Sequence, residues 1–285
     1  MDARFCHLIV NGGVTPTLLA AKNPGADVQG ILRRLVAGVA RDIEGPSERL
    51  GDRVHDIRVR MKKFRAILRL AESRMTGPAF ARSDKLARTL KDYFGSARDN
   101  DVQTDLLLDL LDKSEAHATA KALGLMDRNP ATETDPASAR ETCSQLAALV
   151  ERFQLSGLTG DEVVEAWIAS YRNSRRAMRA CCRDANDDFL FHEWRKRVKE
   201  MLYQSVTIGS PLDKYVLRAD RLASALGSHH DLAILTESLA SGLAGSKAER
   251  AALARKKVVG RRAVAMGRKL FAEKPSVIHR KVRLP

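Results

Sequence analysis

Val54-His55-Asp56-Ile57-Arg58-Val59-Arg60-Met61-Lys62-Lys63-Phe64-Arg65-Ala66-Ile67-Leu68-Arg69 is the stretch on which the fold turns. At about 100° per residue, Val54, Ile57, Met61, Phe64 and Leu68 share one strip of a helix. His55, Arg58, Lys62, Arg65 and Arg69 fall on a second strip, about 80° wide, directly beside the first. Such a helix buries its apolar strip and holds a basic strip at the edge of the packing surface. Ordinary solvated helices mix signs, because carboxylates at i, i+4 support the cations. This basic strip contains no acid, and like charges on adjacent turns repel unless a ligand neutralises them.

The stretch recurs later in the chain. Phe191-His192-Glu193-Trp194-Arg195 answers Val54-His55-Asp56-Ile57-Arg58, and Lys199 answers Lys62. Phe191, Trp194, Val198 and Met201 form the second apolar strip, with His192, Arg195 and Lys199 beside it and Lys196 at its other margin. Phe94-Gly95 followed by Arg98-Asp99 answers Leu226-Gly227 followed by His230-Asp231. Each half thus reads as a long basic helix, a helix ending at Gly, and an Asp opening the next helix. That is an internal duplication, and it predicts two pseudo-symmetric helical bundles.

Outside these copies the helical period continues. Candidate helices cover about 26–43, 47–75, 78–95, 99–125, 137–155, 160–184, 187–209, 212–227, 231–242 and 247–273, with Gly and Pro between them. No stretch alternates apolar and polar residues long enough to form a sheet. Residues 1–25 read as an irregular leader, broken by Asn11-Gly12-Gly13, Pro16 and Asn23-Pro24-Gly25. The helical domain, 26–285, divides into halves at about 26–126 and 138–285, joined by a polar linker at 127–137 with Pro130 and Pro136.

The charge of the whole chain fits a basic surface. Its 285 residues are 44% hydrophobic, a globular composition, and carry 49 Lys+Arg against 35 Asp+Glu, a net charge of +14. A surplus of that size opposes compaction and points to a polyanionic partner: nucleic acid, an anionic membrane or polyphosphate. Arg172, Arg175, Arg176 and Arg179 make a third row on one helix face after Tyr171. Residues 250–285 hold a last concentration of Lys and Arg with Glu273 the one acid, either a second electrostatic contact or a solvated helix. The run Phe5–Val10 is too short to cross a bilayer and lacks the features of a secretory signal. Cys6, Cys143, Cys181 and Cys182 have no metal-ligand spacing and read as free thiols of a reducing compartment. A cytoplasmic protein without a membrane partner is expected.

With these motifs in hand, a resemblance can be stated. His55-Asp56-Ile57-Arg58-Val59 with Lys62, Lys63 and Arg65 is similar to the signature helix of CHAD domains, the conserved-histidine alpha-helical family. Arg98-Asp99-Asn100-Asp101-Val102 resembles the second motif of that family. His192-Glu193-Trp194-Arg195-Lys196-Arg197-Val198-Lys199 resembles its counterpart in the second half, and Tyr171-Arg172 with Arg175 the helix before it. The resemblance covers about residues 26–285. It implies an all-α fold of two antiparallel four-helix bundles around a basic channel, with inorganic polyphosphate as ligand. The ligand would meet His55, Arg58, Lys62, Arg65, Arg69, Arg172, Arg175, Arg179, His192, Arg195, Lys196 and Lys199. Two departures stand out: Leu202-Tyr203 replaces the usual Arg-Tyr, and His229-His230 precedes Asp231 where Asn is common. No upstream triphosphate-tunnel domain is expected.

Other chemistry is weaker in the sequence. His55 and His192 lack a third ligand and a His-Glu-x-x-His spacing, so neither metal nor cofactor is expected; extra donors to phosphate fit them better. Asp99 and Asp231, each after a Gly-terminated helix, read as N-caps or, for Asp99, an ion pair with Arg98. No phosphate-binding glycine loop occurs. An enzyme acting on polyphosphate would need a metal-binding carboxylate cluster facing the basic rows, and none is found, so a non-catalytic binder is expected. Nucleic acid is the rival partner, but aromatics are only 5% of the chain and Phe64 and Trp194 belong to the apolar strips, leaving little to stack on bases. Targeting to polyphosphate granules, or a scaffold role there, is the expected use.

Overall fold

The computed structural model describes residues 22–45, 50–94, 99–126, 136–209 and 212–282. Residues 1–21 of the expected leader, Gly95 and Arg98 of the second motif, and most of the 127–137 linker lie outside these residues. The described residues form eleven α-helices and no strand, so the fold is all-α. In chain order they are α1 (Pro24–Glu44), α2 (Leu50–Leu68), α3 (Gly77–Tyr93), α4 (Asp99–Leu110), α5 (Lys113–Ala122) and α6 (Pro136–Glu151). They continue as α7 (Gly160–Arg183), α8 (Asp188–Ile208), α9 (Asp213–Gly242), α10 (Lys247–Leu270) and α11 (Pro275–Val282).

Local chemistry sets most starts. Asn23 accepts from Ala26 N ahead of Pro24 in α1, and Thr76 from Ala79 N in α3. Thr159 and Glu162 form a reciprocal capping box at α7, and Ser246 accepts from Glu249 N at α10. These satisfy amide donors that the first helical turn leaves unpaired.

Four boundaries differ from the sequence reading. The helix expected over 47–75 ends at Leu68 and tightens into a 3₁₀ turn over Arg69–Arg74. The helix expected over 99–125 breaks at Asp112, whose side chain accepts from Glu115 N and starts α5. The one expected over 247–273 ends at Leu270, and a further helix that was not expected, α11, follows it. The helices expected at 212–227 and 231–242 are one continuous α9 running through Gly227. There Ala223, Leu226 and His229 are buried around the glycine, and packing overrides the weak breaking tendency of one glycine. Asp231 is therefore no N-cap; it lies mid-helix. Asp99 as a cap and its pairing with Arg98 lie outside the described side chains.

Helices α1, α2, α3 and α6 pack in a closed set: α1 on α2 and α6, α3 on α2 and α6. Helices α7, α8, α9 and α10 make a second, with α11 on α7. The α4–α5 hairpin packs on α9 and α10, where Leu107, Ala116 and Ala120 meet Leu232, Leu235, Leu239, Ala248 and Ala252 in a satellite core. The main core is continuous from one closed set to the other. Its largest fully buried side chains include Trp167, Trp194, Tyr171, Phe64 and Phe271. Trp167 Nε1 donates to Ser205 Oγ at 2.8 Å, so the buried indole keeps its hydrogen bond.

Candidate functional site

Both apolar strips read from the sequence are buried. Val54, Ile57, Met61, Phe64 and Leu68 of α2 are at most 5% exposed, and Phe191, Trp194, Val198 and Met201 of α8 at most 3%. Helices α2 and α8 pack against each other. Gln204 Nε2 of α8 donates to Ala66 O of α2 at 2.9 Å within that contact. Burying the apolar strips side by side carries the adjoining basic strips to one place.

Lys62 registers that convergence. Burial, followed by the charges of Lys199, Arg195, Arg58 and Lys91, pushes its ammonium down to about 7. All four charged neighbours are cations, drawn from α2, α3 and α8. Lys199 is pushed down to about 8, first by burial and then by Arg195, while Asp231 and Asp220 of α9 act in the opposite sense. Arg195 Nε is buried with no hydrogen-bond partner among the described residues. A buried donor left unpaired is costly, and a phosphate oxygen would satisfy it.

Histidine lines the same site. His192 Nδ1 lies 3.3 Å from His230 Nδ1, with ring centroids 4.5 Å apart. Burial pushes His230 down to about 4, reinforced by Arg195, His192, His229 and Lys62. His192 is also lowered, by burial and then by Lys196 and Arg195. His229, by contrast, is a core residue. It is 3% exposed and stacks on Phe191 at 4.0 Å between centroids.

The remaining sequence candidates divide by their partners. Arg58 stays at the site but is anchored, its Nη1 donating to Phe94 O at 2.8 Å beyond the end of α3. Arg65 grips Asp84 with two bonds, Nε to Oδ1 at 2.8 Å and Nη2 to Oδ2 at 3.2 Å. Arg69 reaches the same carboxylate at 3.4 Å and Glu200 at 3.6 Å. The strip is acid-free in sequence but not in the fold, because α3 and α8 supply Asp84 and Glu200 to its far end. That corrects the expectation of an uncompensated row. Lys196, exposed, pairs with Glu193 at 2.5 Å. His55 is exposed on α2.

Arg175 points to the end of α10, where its Nε donates to Phe271 O at 2.9 Å; Arg172 and Arg179 are exposed on α7. Leu202, which departs from the Arg usual in the family pattern, is 3% exposed and faces the core. The position it answers is that of Arg65, a structural ion pair, so its missing charge takes nothing from the Lys62–Lys199 cluster. Lys91, His230, Asp220 and Asp231 were not singled out as site residues. His230 and Asp231 carry a signal in the sequence, as the pair after Gly227 that answers Arg98-Asp99, whereas Lys91 and Asp220 carry none.

Among the described residues, no three His, Cys, Asp or Glu are grouped to hold a metal ion, and no helix is long and apolar enough to cross a membrane. Described cysteines Cys143, Cys181 and Cys182 are free thiols; Cys6 lies outside the described residues. In comparison with known proteins, the family model of the CHAD domain matches residues 30–240. No curated protein and no solved structure matches the chain.

Proposed function

Because the chain belongs to the CHAD domain family, we propose that it binds inorganic polyphosphate at the cluster of Arg58, Lys62, Lys91, His192, Arg195, Lys199 and His230. The observation that carries this reading is the convergence of cations on Lys62, which burial and like charge hold at a pKa of about 7. Like charges assembled beside a core cost stability in the free protein, and a polyanion threading between α2 and α8 removes that cost. In this reading the two closed helix sets are the pseudo-symmetric bundles, and the cluster lines a basic channel between them. Arg195 and Arg58 grip phosphate oxygens through forked donors, and Lys62 and Lys199 act as point charges.

The protein acts without catalysis, as a targeting or scaffold component of polyphosphate stores in the cytoplasm. A polyanion without bases suits the cluster because Phe64 and Trp194 are fully buried and unavailable for stacking. A competition assay tests the proposal. Long-chain polyphosphate is titrated with and without excess duplex DNA while free phosphate is followed in the same tube. Retained polyphosphate binding without phosphate release is expected. Equal displacement by DNA overturns the ligand assignment, and steady phosphate release overturns the non-catalytic role.

A further inference from the structure

We infer that the outward face of α10 is a second, separate polyphosphate-binding surface, so that one molecule bridges two polyphosphate chains. The inference rests on the polyphosphate reading for the identity of the ligand, but its geometry is independent of the Lys62 cluster.

Helix α10 buries small residues. Ala252, Gly260, Ala263 and Gly267 are on its packed face. A Cβ built on Gly260 would lie 3.2 Å from His229, and one on Gly267 would lie 2.4 Å from Trp194. That close approach fixes which face looks outward. Arg250, Lys257, Arg261 and Arg268 all lie on the outward face and are exposed. Their spacings of i, i+7, i+11 and i+18 keep them within about 40° of one another on a helix about 36 Å long. Arg255, Arg262 and Lys269 form a second exposed line, about 100–140° further round the same helix.

What sets this helix apart is the density of its cations. Some exposed cations elsewhere pair with carboxylates, as Arg33 does with Glu151, Arg74 with Glu162 and Arg140 with Glu44, and others, such as Arg172, Arg176 and Arg179 of α7, form no ion pair among the described residues. Among the described residues, Arg255, Lys257, Arg261, Arg262, Arg268 and Lys269 form no ion pair. Glu249 is the one acid of α10 and sits in its first turn. The row lies beyond residue 240, where the family match ends.

The chemistry of the row selects the occupant. A line of unpaired cations matches a linear polymer of phosphate charges. No aromatic side chain occurs in α10, so the face has no platform for bases and no bulky anchor for a lipid interface. Its exposed apolar side chains, Leu253 and Val258, are aliphatic. The Lys62 cluster belongs to the α2–α8 contact, and α10 presents its row on the side away from its packing against α8 and α9. Two sites on different faces of one molecule crosslink a polymer that has many repeats.

The test compares three proteins: wild type, K257Q/R261Q/R262Q/R268Q, and K62Q/R195Q/K199Q. Short polyphosphate is titrated into each by equilibrium dialysis, and light scattering is followed with long chains. Wild type is expected to bind two short chains and to form multi-chain particles. Each variant should bind one chain and form none, with unchanged helicity, since all substituted α10 side chains are exposed. Overturning results are a wild type that binds one chain, or an α10 variant that still binds two. If the α10 variant loses one chain while the K62Q/R195Q/K199Q variant still binds two, the cluster reading fails and the α10 surface stands. Displacement of the α10-bound chain by duplex DNA or anionic vesicles at equal charge assigns this face to those partners and overturns the proposal.

Discussion

His192 Nδ1 and His230 Nδ1 sit 3.3 Å apart, joining α8 to α9 at the margin of the cationic cluster. At that separation one nitrogen can donate only if the other accepts, so the pair resists full protonation. Lys62, Arg195, Lys196 and His229 face the pair with like charge or burial, and Glu193 beside His192 is the opposing group. Bound polyphosphate reverses the balance by favouring imidazolium. Affinity should rise as pH falls from about 7 toward 5, with protons taken up on binding. H192Q/H230Q should lose this low-pH gain and keep most of the affinity at pH 7. Titration calorimetry in buffers of different ionisation enthalpy measures the uptake; equal uptake in both proteins removes the pair from the site.

Lys62 supplies a second titration with its own sign. Its folded-state pKa of about 7 lies below the ordinary 10.5, so between those values the unfolded chain binds more protons. Stability of the unliganded protein from this group should therefore rise with pH across that window. Affinity should move the opposite way, falling by up to about tenfold per pH unit for each proton taken up. Urea unfolding and polyphosphate titration at pH 7, 8 and 9 read the two slopes. In K62R both should flatten, because Arg remains charged throughout.

The cluster and the Asp84 group should separate under mutation. K62Q should cost about 1.5–3 kcal/mol of binding, the scale of one charge-assisted bond, with folding unimpaired. The log–log salt slope should fall by about 0.7–0.9 for each phosphate that the variant no longer neutralises. R65Q should instead destabilise the fold by about 1–3 kcal/mol, because the 10%-exposed Asp84 carboxylate loses its two-bond partner. Burial raises the Asp84 pKa, but hydrogen bonds and charge from Arg65, Arg69 and Arg88 outweigh it and the net shift is downward. That contribution is present above the usual carboxylate range and is lost as pH falls through the depressed value. Denaturant melts at pH 7 and pH 3 check both statements.

Substitution at Gly267 tests the fit of α10. A methyl there meets the Trp194 ring at 2.4 Å, in the core beneath the site. G267A should cost about 1–3 kcal/mol through overpacking. A thermal melt unchanged from wild type would show that α10 is not seated as described.

The helical fold and the α2 and α8 strips were legible because they depend on period and composition, which one helix carries within itself. The sites of pairing were not. Arg65 and Lys62 look alike in sequence, yet Arg65 is neutralised by Asp84, a residue brought from α3 by packing. Gly227 and Asp231 likewise imitate a helix end and a cap, and contacts with α8 erase both. The Asp112 break was readable in principle, since Asp112-Lys113-Ser114-Glu115 places a capping acid three residues before Glu115. What the sequence alone could not rank was which cations remain without a countercharge.

The route of the chain has a consequence during synthesis. Helices α1 and α3 close their set only with α6, and Gln29 donates to Val150 O across 121 residues of sequence. About 58 residues separate the end of α3 from the end of α6, roughly 3–12 s of elongation at 5–20 residues per second. Throughout that interval the faces of α1 carrying Val36 and Ile43 have no α6 to cover them. In the same interval α4 and α5 emerge, although the surfaces of α9 and α10 that receive them are not yet made. The nascent chain thus carries two sets of uncovered apolar faces at once, and an agent that shields such faces on the ribosome acts on the yield of this protein before any ligand does.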